Sequence, residues 1–189
     1  MNSQNDAGQF TLTDQEVDKL IDCASSNRNR LILKVLSKTG LRRQELCNLD
    51  IEDLQSDRGR LIVKHGKGDK RRFVPISDSL AAELRAFVER RTTGPLFRSQ
   101  RGGRLVPRTI NHIIKAAGDL AKITNPNPDR KQIGPHLLRH TFSRHYLRDG
   151  GRMYILSQIL GHANVSITHA VYGTASEDEI QEEYRKVMV

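Results

Sequence analysis

The apolar pattern of this chain changes period once and then changes back, and that limits the folds open to it. The chain begins in helical spacing. Val17, Leu20 and Ile21 follow a Thr13–Glu16 capping-box pattern and predict a first helix from Asp14 to about Ser25. A second helix is predicted from about Arg28 to Lys38, carrying Leu31, Leu33, Val35 and Leu36. Gly40 stands where a helix C-cap glycine belongs, and a short third helix covers Arg43 to Leu49. The pattern then shifts to two short runs of strand type, Leu61-Ile62-Val63 after Gly59 and Phe73-Val74-Pro75-Ile76. Between them lies Gly66-Lys67-Gly68-Asp69-Lys70, a turn by composition. This reads as a β-hairpin with a glycine-flanked lysine at its tip. Helical spacing returns at about Asp78–Arg91, Arg108–Lys122, His136–Leu147 and Tyr154–Leu160. A second capping-box pattern, Ser176 with Glu179, opens a last helix to about Val187. One hairpin set inside a helical chain predicts an α+β class, mostly α-helical, with a small antiparallel sheet.

The 189 residues suit one domain with a proper core. No internal repeat, low-complexity tract or linker divides them. Residues 1–10 are polar and read as a disordered leader, with the domain at 11–189. No apolar run approaches the roughly 20 residues of a membrane span. The start also lacks the basic and apolar stretches of a signal peptide, so the default expectation is cytoplasmic. Cys23 and Cys47 are then expected to be reduced. No CxxC pair, zinc-spaced His/Cys cluster or HExxH motif is present, and no metal or cofactor is expected. The net charge of +9 favours a polyanionic partner, although a merely basic soluble protein carries the same number. The basic helix with a strong apolar face that membrane-surface binding requires is missing.

A few residues stand out once plausible core and surface positions are set aside. Arg42 follows Thr39-Gly40-Leu41 at the start of a helix. Lys67 sits in its glycine turn. His136 and Arg139 are three apart and share a helix face. His162 follows Leu160-Gly161, and Tyr172 lies ten residues beyond it. Taken singly, each has a plain reading as a surface charge, a helix cap or a half-buried phenol. Their order is more telling. The segments TGLRRQEL (39–46), GKGDKRRFVPI (66–76), PHLLRHTF (135–142) and LGHANVSITHAVY (160–172) together resemble the catalytic domains of tyrosine recombinases, the phage integrase family. The resemblance covers roughly residues 11–185.

What the resemblance implies can be stated residue by residue. Arg42 and Arg139 match the two catalytic arginines, and Glu45 the acidic residue that supports them. Lys67 matches the hairpin lysine, His136 the histidine of the HxxR pair, His162 the position after LG, and Tyr172 the nucleophile. Tyr146, Tyr154 and Tyr184 lie outside the segment after Leu160-Gly161-His162. The implied fold is that of the family's catalytic domain, with the small sheet at one edge. The implied activity is site-specific cleavage and rejoining of double-stranded DNA through a 3′-phosphotyrosine link, without metal or ATP. Two arginine forks suit the non-bridging oxygens of a phosphorane, because they donate bidentately. A free phenol titrates near about 10. Tyr172 therefore needs a base, for which His136 is the candidate, while Lys67 is the candidate acid for the departing 5′-oxygen. Arg43, Lys70, Arg71, Arg72, Arg108, Lys115 and Arg144 lie near these motifs in sequence and are candidates for DNA contact.

Two alternatives share the motifs: a type IB topoisomerase, with the same chemistry and no exchange of partners, and a non-catalytic DNA-binding regulator. Most of the family carries a helical DNA-clamping domain ahead of the catalytic one, whereas here about ten residues precede the first helix. That predicts a minimal recombinase or an excised fragment. Residues 176–189 match a terminal helix that often docks on a neighbouring protomer in the family. Self-association on DNA with exchange of this helix, and packing within its own domain, are equally open.

Overall fold

A computed structural model describes residues 10–64, 71–161 and 175–188. Three helices come first: α1 (Asp14–Asp22), α2 (Asn27–Thr39) and α3 (Arg43–Asn48). The strands β1 (Leu54–Gln55), β2 (Arg60–Val63) and β3 (Arg72–Pro75) follow. Among the described residues five more helices follow: α4 (Asp78–Val88), α5 (Pro107–Ala121), α6 (Pro135–Arg148), α7 (Met153–Leu160) and α8 (Glu177–Val187). The domain is therefore largely helical with one small antiparallel sheet, as the change of period predicts. Gly66, Lys67, Gly68, Lys70, His162 and Tyr172 lie outside the described residues.

The Thr13–Glu16 capping box opens α1 as expected, with both halves of the box made. The helix ends at Asp22 rather than near Ser25. The Cys23 N–H closes on the carbonyls of Lys19 and Ile21. Ser26 then turns to an extended backbone and accepts from Asn29 N to start α2. α4 stops at Val88, short of Arg91, because Glu89 turns to φ +51°. The sheet has three strands in the order β1-β2-β3, not two. β1 is two residues long, too short to show an alternation of its own. β2 and β3 pair with Leu61 opposite Val74 and Val63 opposite Arg72.

The core is organised around α2. Leu31, Ile32, Leu33, Val35 and Leu36 are all buried, so this helix is apolar on nearly every side. Such a helix is stable only when surrounded, and α1, α3, α4, α5 and α6 pack around it. α2 ends at Gly40 in the left-handed conformation, φ +63°. A side chain there would also collide with its neighbours: a Cβ would lie 2.5 Å from Phe142 Cδ1 and 2.8 Å from Leu160 Cδ2. Gly40 thus lets the chain turn sharply from α2 into α3 while α6 and α7 press against the turn.

Both ends of the described chain are tied down. Leu12 is buried and its N–H donates to Thr141 Oγ1 at 3.1 Å. His145 on α6 bridges the Leu12 carbonyl (2.8 Å) and Asp14 (3.0 Å). α8 packs on its own domain. Ile180 and Tyr184 are buried, and the Tyr184 hydroxyl donates to the Lys38 carbonyl at 2.7 Å. The nearly buried Glu183 carboxylate accepts from the Tyr146 hydroxyl (2.8 Å), from Arg152 N (2.8 Å) and from Arg152 Nε. Ser176 caps α8 as predicted by accepting from Glu179 N. The Glu179 carboxylate binds Arg152 and Tyr154 instead. Cys23 and Cys47 are both free thiols. No described helix is long and apolar enough to cross a membrane.

Gly40→Ala is expected to destabilise the domain by about 2–5 kcal/mol, from the left-handed backbone and the collision with Phe142 and Leu160. Urea unfolding of the two proteins measures the difference.

Candidate active site

Arg42, Glu45 and Arg139 meet, together with Arg72, where the start of α3, β3, α6 and the end of α7 converge. Glu45 is the centre. It occupies the first turn of α3, and its side chain is only 4% exposed. A carboxylate that deep has to be ionically paired. It accepts four hydrogen bonds. Arg42 supplies two, from its backbone N (2.8 Å) and from Nη1 (2.9 Å). Arg72 supplies the other two as a fork, Nη1 to Oε1 and Nη2 to Oε2, both at 2.9 Å. Burial alone would raise the Glu45 carboxyl. The Arg72 and Arg42 guanidiniums outweigh it and hold the group below the usual carboxylate range.

The second anchor is the C-terminal end of α7. The last carbonyls of a helix have no partner within the helix and carry its negative dipole end, which favours cations. Here arginines from three other elements take them up. Arg72 Nε donates to the Ile159 carbonyl at 2.9 Å. Arg139 Nη2 donates to the Leu160 carbonyl at 2.9 Å, and Arg42 Nη1 approaches the same oxygen at 3.4 Å. Arg139 completes its grip with a 2.6 Å bond from Nη1 to the Gly40 carbonyl. α7 then ends at Gly161 in the left-handed conformation, and the segment holding His162 and Tyr172 begins.

Three guanidiniums therefore surround one carboxylate, an excess of two positive charges in a half-buried setting. Burial, and next the nearby Arg42 cation, push Arg139 down to about 10. Among the described residues, Nε and Nη2 of Arg42 make no hydrogen bond, while its side chain is 33% exposed. An edge of the cluster is thus open to an incoming anion. Planar forks on a fixed frame suit a phosphate.

His136 is exposed in the first turn of α6, one turn ahead of Arg139. Beside the pair, His140 Nε2 is buried without a hydrogen-bond partner among the described residues. The candidate DNA contacts fall in different places. Arg71 and Arg108 are exposed. Arg43 is exposed and donates to Asn111 on α5. Lys115 is paired with Asp119 one turn along the same helix, at 2.6 Å. Arg144 lines an open groove with residues 11–15, beside His145 and Arg148. Arg72, grouped with these by sequence proximity, sits in the Glu45 cluster with an 11% exposed side chain. Nothing in its neighbours along the chain pointed there, because its partner is 27 residues away.

Three of the four tyrosines are described, and all three phenols are engaged elsewhere. Tyr146 is fully buried and donates to Glu183; burial, and next that carboxylate, push its phenol up. Tyr184 is buried against the Lys38 carbonyl, and burial raises it too. Tyr154 donates to Glu179 at 2.5 Å, and this bond raises its phenol.

Comparison with known proteins identifies the family and the fold. The profile of the phage integrase family matches residues 11–179. The chain is 36% identical over 181 residues to tyrosine recombinase XerA of Pyrococcus horikoshii, covering 93% of this chain and 60% of that protein. It is 30% identical over 191 residues to tyrosine recombinase XerC of Halalkalibacterium halodurans, with 92% and 60% covered. The chain thus spans about three fifths of the length of these relatives. Among solved structures, a XerA recombinase superposes with a TM-score of 0.72 at 33% identity, over 94% of this chain and 65% of that one. The pre-cleavage complex of XerH with its difH substrate shares the fold, with a TM-score of 0.69 at 24% identity, over 93% and 53%.

Glu45→Gln is expected to cost about 3 kcal/mol near neutral pH, the scale of breaking a buried pair. The folded carboxyl lies below its unfolded value of about 4.3, so its contribution is complete above that pH and is lost as pH falls through the folded value. The gap between wild type and variant should be constant at neutral pH and close only below about pH 4, as read by denaturant unfolding across a pH series.

Proposed function

Because the chain belongs to the phage integrase family, we propose that it is the catalytic domain of a site-specific DNA recombinase, cleaving and rejoining strands through a 3′-phosphotyrosine intermediate on Tyr172. The observation that carries this reading is the convergence of Arg42 and Arg139 on the Leu160 carbonyl. Two residues 97 positions apart in sequence become one anion cradle, with Arg42 partly exposed. Support for Tyr172 comes from its place after Leu160-Gly161-His162 and from the burial or pairing of the other three phenols.

The chemistry runs as a transesterification. The Tyr172 oxygen attacks the scissile phosphorus, a P–O bond to tyrosine forms, and the bond to the 5′-oxygen breaks. Negative charge builds on the non-bridging oxygens in the transition state, where the Arg42 and Arg139 forks donate. His136 takes the phenolic proton, and Lys67 gives a proton to the departing 5′-oxygen. His162 donates to the phosphate. The phosphotyrosyl ester keeps the bond energy, so a 5′-hydroxyl from another strand reverses the step without ATP. His136 is exposed ahead of Arg139, in keeping with a group that meets DNA. The roles of Lys67, His162 and Tyr172 rest on their motifs in the sequence.

The partner is double-stranded DNA, in accord with the net charge of +9. Self-association on DNA, with exchange of the 176–189 helix, remains part of the proposal. In the single chain, α8 packs on its own domain through Ile180 and Tyr184.

Incubation with a nicked duplex that traps the cleaved state tests the nucleophile directly. Wild type should become covalently attached to DNA, and Tyr172→Phe should bind the duplex nearly as well yet give no covalent product. Attachment through Tyr146, Tyr154 or Tyr184 would overturn the assignment. In the same assay Arg42→Lys and Arg139→Lys should each slow cleavage on the order of 10²-fold or more, because a point charge does not reproduce the fork at a developing oxyanion. Near-normal rates would reduce both residues to steering DNA.

A further inference from the structure

We infer that Arg72 is a positioning residue for Arg42, acting through Glu45, and not a contact to DNA. The inference rests on the function proposed above and adds a residue to its machinery.

Three features of Arg72 lead there. Its guanidinium is committed on two sides: the fork holds both oxygens of Glu45, and Nε holds the Ile159 carbonyl. Its side chain is 11% exposed, which leaves little surface for a phosphate backbone. Its stem is pressed against Gly161, where a Cβ would come within 2.9 Å of Arg72 Cδ. Arg72 therefore joins three segments that carry catalytic candidates. β3 follows the segment that carries Lys67, α3 has Arg42 as its N-cap, and α7 ends just ahead of His162.

The consequence for Arg42 follows from charge. The bidentate fork of Arg72 satisfies both Glu45 oxygens, so Arg42 has to give only one side-chain donor, Nη1, to that carboxylate. Its Nε and Nη2 stay available for a phosphate. Without Arg72, a buried carboxylate faces a single cation, and the best pairing left is a bidentate grip on Arg42 itself. The arginine would then turn its free edge inward. Glu45 is thus harmless to catalysis only while Arg72 occupies it.

A double-mutant cycle read by single-turnover cleavage of the nicked duplex tests this. Arg72→Gln should slow cleavage on the order of 10²-fold, as for the loss of a preorganised donor. Arg72→Lys, which keeps the charge and guards against a folding failure, should recover part of that loss. In a Glu45→Gln background the carboxylate that captures Arg42 is gone, so adding Arg72→Gln should cost only about threefold or less, a strong coupling between the two positions. DNA affinity and its salt dependence should fall no further for Arg72→Gln than for Arg42→Gln, and adding Arg72→Gln to Arg42→Gln should change neither. Equal losses in both backgrounds would overturn the inference. So would a further drop in affinity, with the salt slope reduced by about one, on adding Arg72→Gln to Arg42→Gln, the mark of a phosphate contact made by Arg72 itself. Failure of wild type itself to form a covalent complex would sink the proposed function and this inference with it. A normal wild type matched by Arg72→Gln would sink the inference alone.

Discussion

A carboxylate is costly to take out of water, and the structure places that of Glu45 almost entirely out of reach of solvent. It is tolerable only because four donors from two arginines close on it. Those donors come from α3 itself and from β3, so satisfying one charge fixes the angle between a helix and the sheet. The arrangement is demanding in geometry and modest in net stability, as buried ion pairs generally are. Its return is orientation: Arg42 is held by its backbone N and one edge of its guanidinium while the other edge is left over.

The end of α7 works in the complementary sense. There the unsatisfied groups are backbone carbonyls, and the cations come to them. Arg72 belongs to both anchors, which makes it the joint between carboxylate and helix end. Together the two anchors concentrate three cations against one anion in a small volume. Burial, and next the Arg42 cation, hold Arg139 below the usual guanidinium range. Three cations held beside one carboxylate leave a net positive charge, which favours an anion over a neutral group at the open edge.

Much of this was legible in the sequence, for identifiable reasons. The hairpin announced itself by β-branched runs around a glycine turn, and α1 by its capping box. Arg42 and Arg139 stood out because their flanking segments appear in one order. Other features were hidden because they are set by tertiary contacts. β1 has no pattern of its own, being two residues long. The Gly40 carbonyl, a main ligand of Arg139, is backbone and leaves no side-chain signature. Sequence proximity also says nothing of direction. Arg144 follows Arg139 by five residues, roughly 140° around the helix, and so faces a groove beside residues 11–15. Arg72 looked like one more cation in a basic run, and only the position of Glu45 gives it a different duty.

The contacts that build the cluster span long stretches of chain: 27 residues between Arg72 and Glu45, 99 between Arg139 and Gly40, and 118 between Arg42 and Leu160. Contacts of such separation require large loops to close before they contribute, so they belong to the folded chain alone. A nascent or partly unfolded chain therefore carries every reactive side chain and no cradle to activate them. Strand cleavage as proposed here is then switched on by completion of the fold itself, and a misfolded copy that still binds DNA through its basic surface leaves the phosphodiester backbone intact.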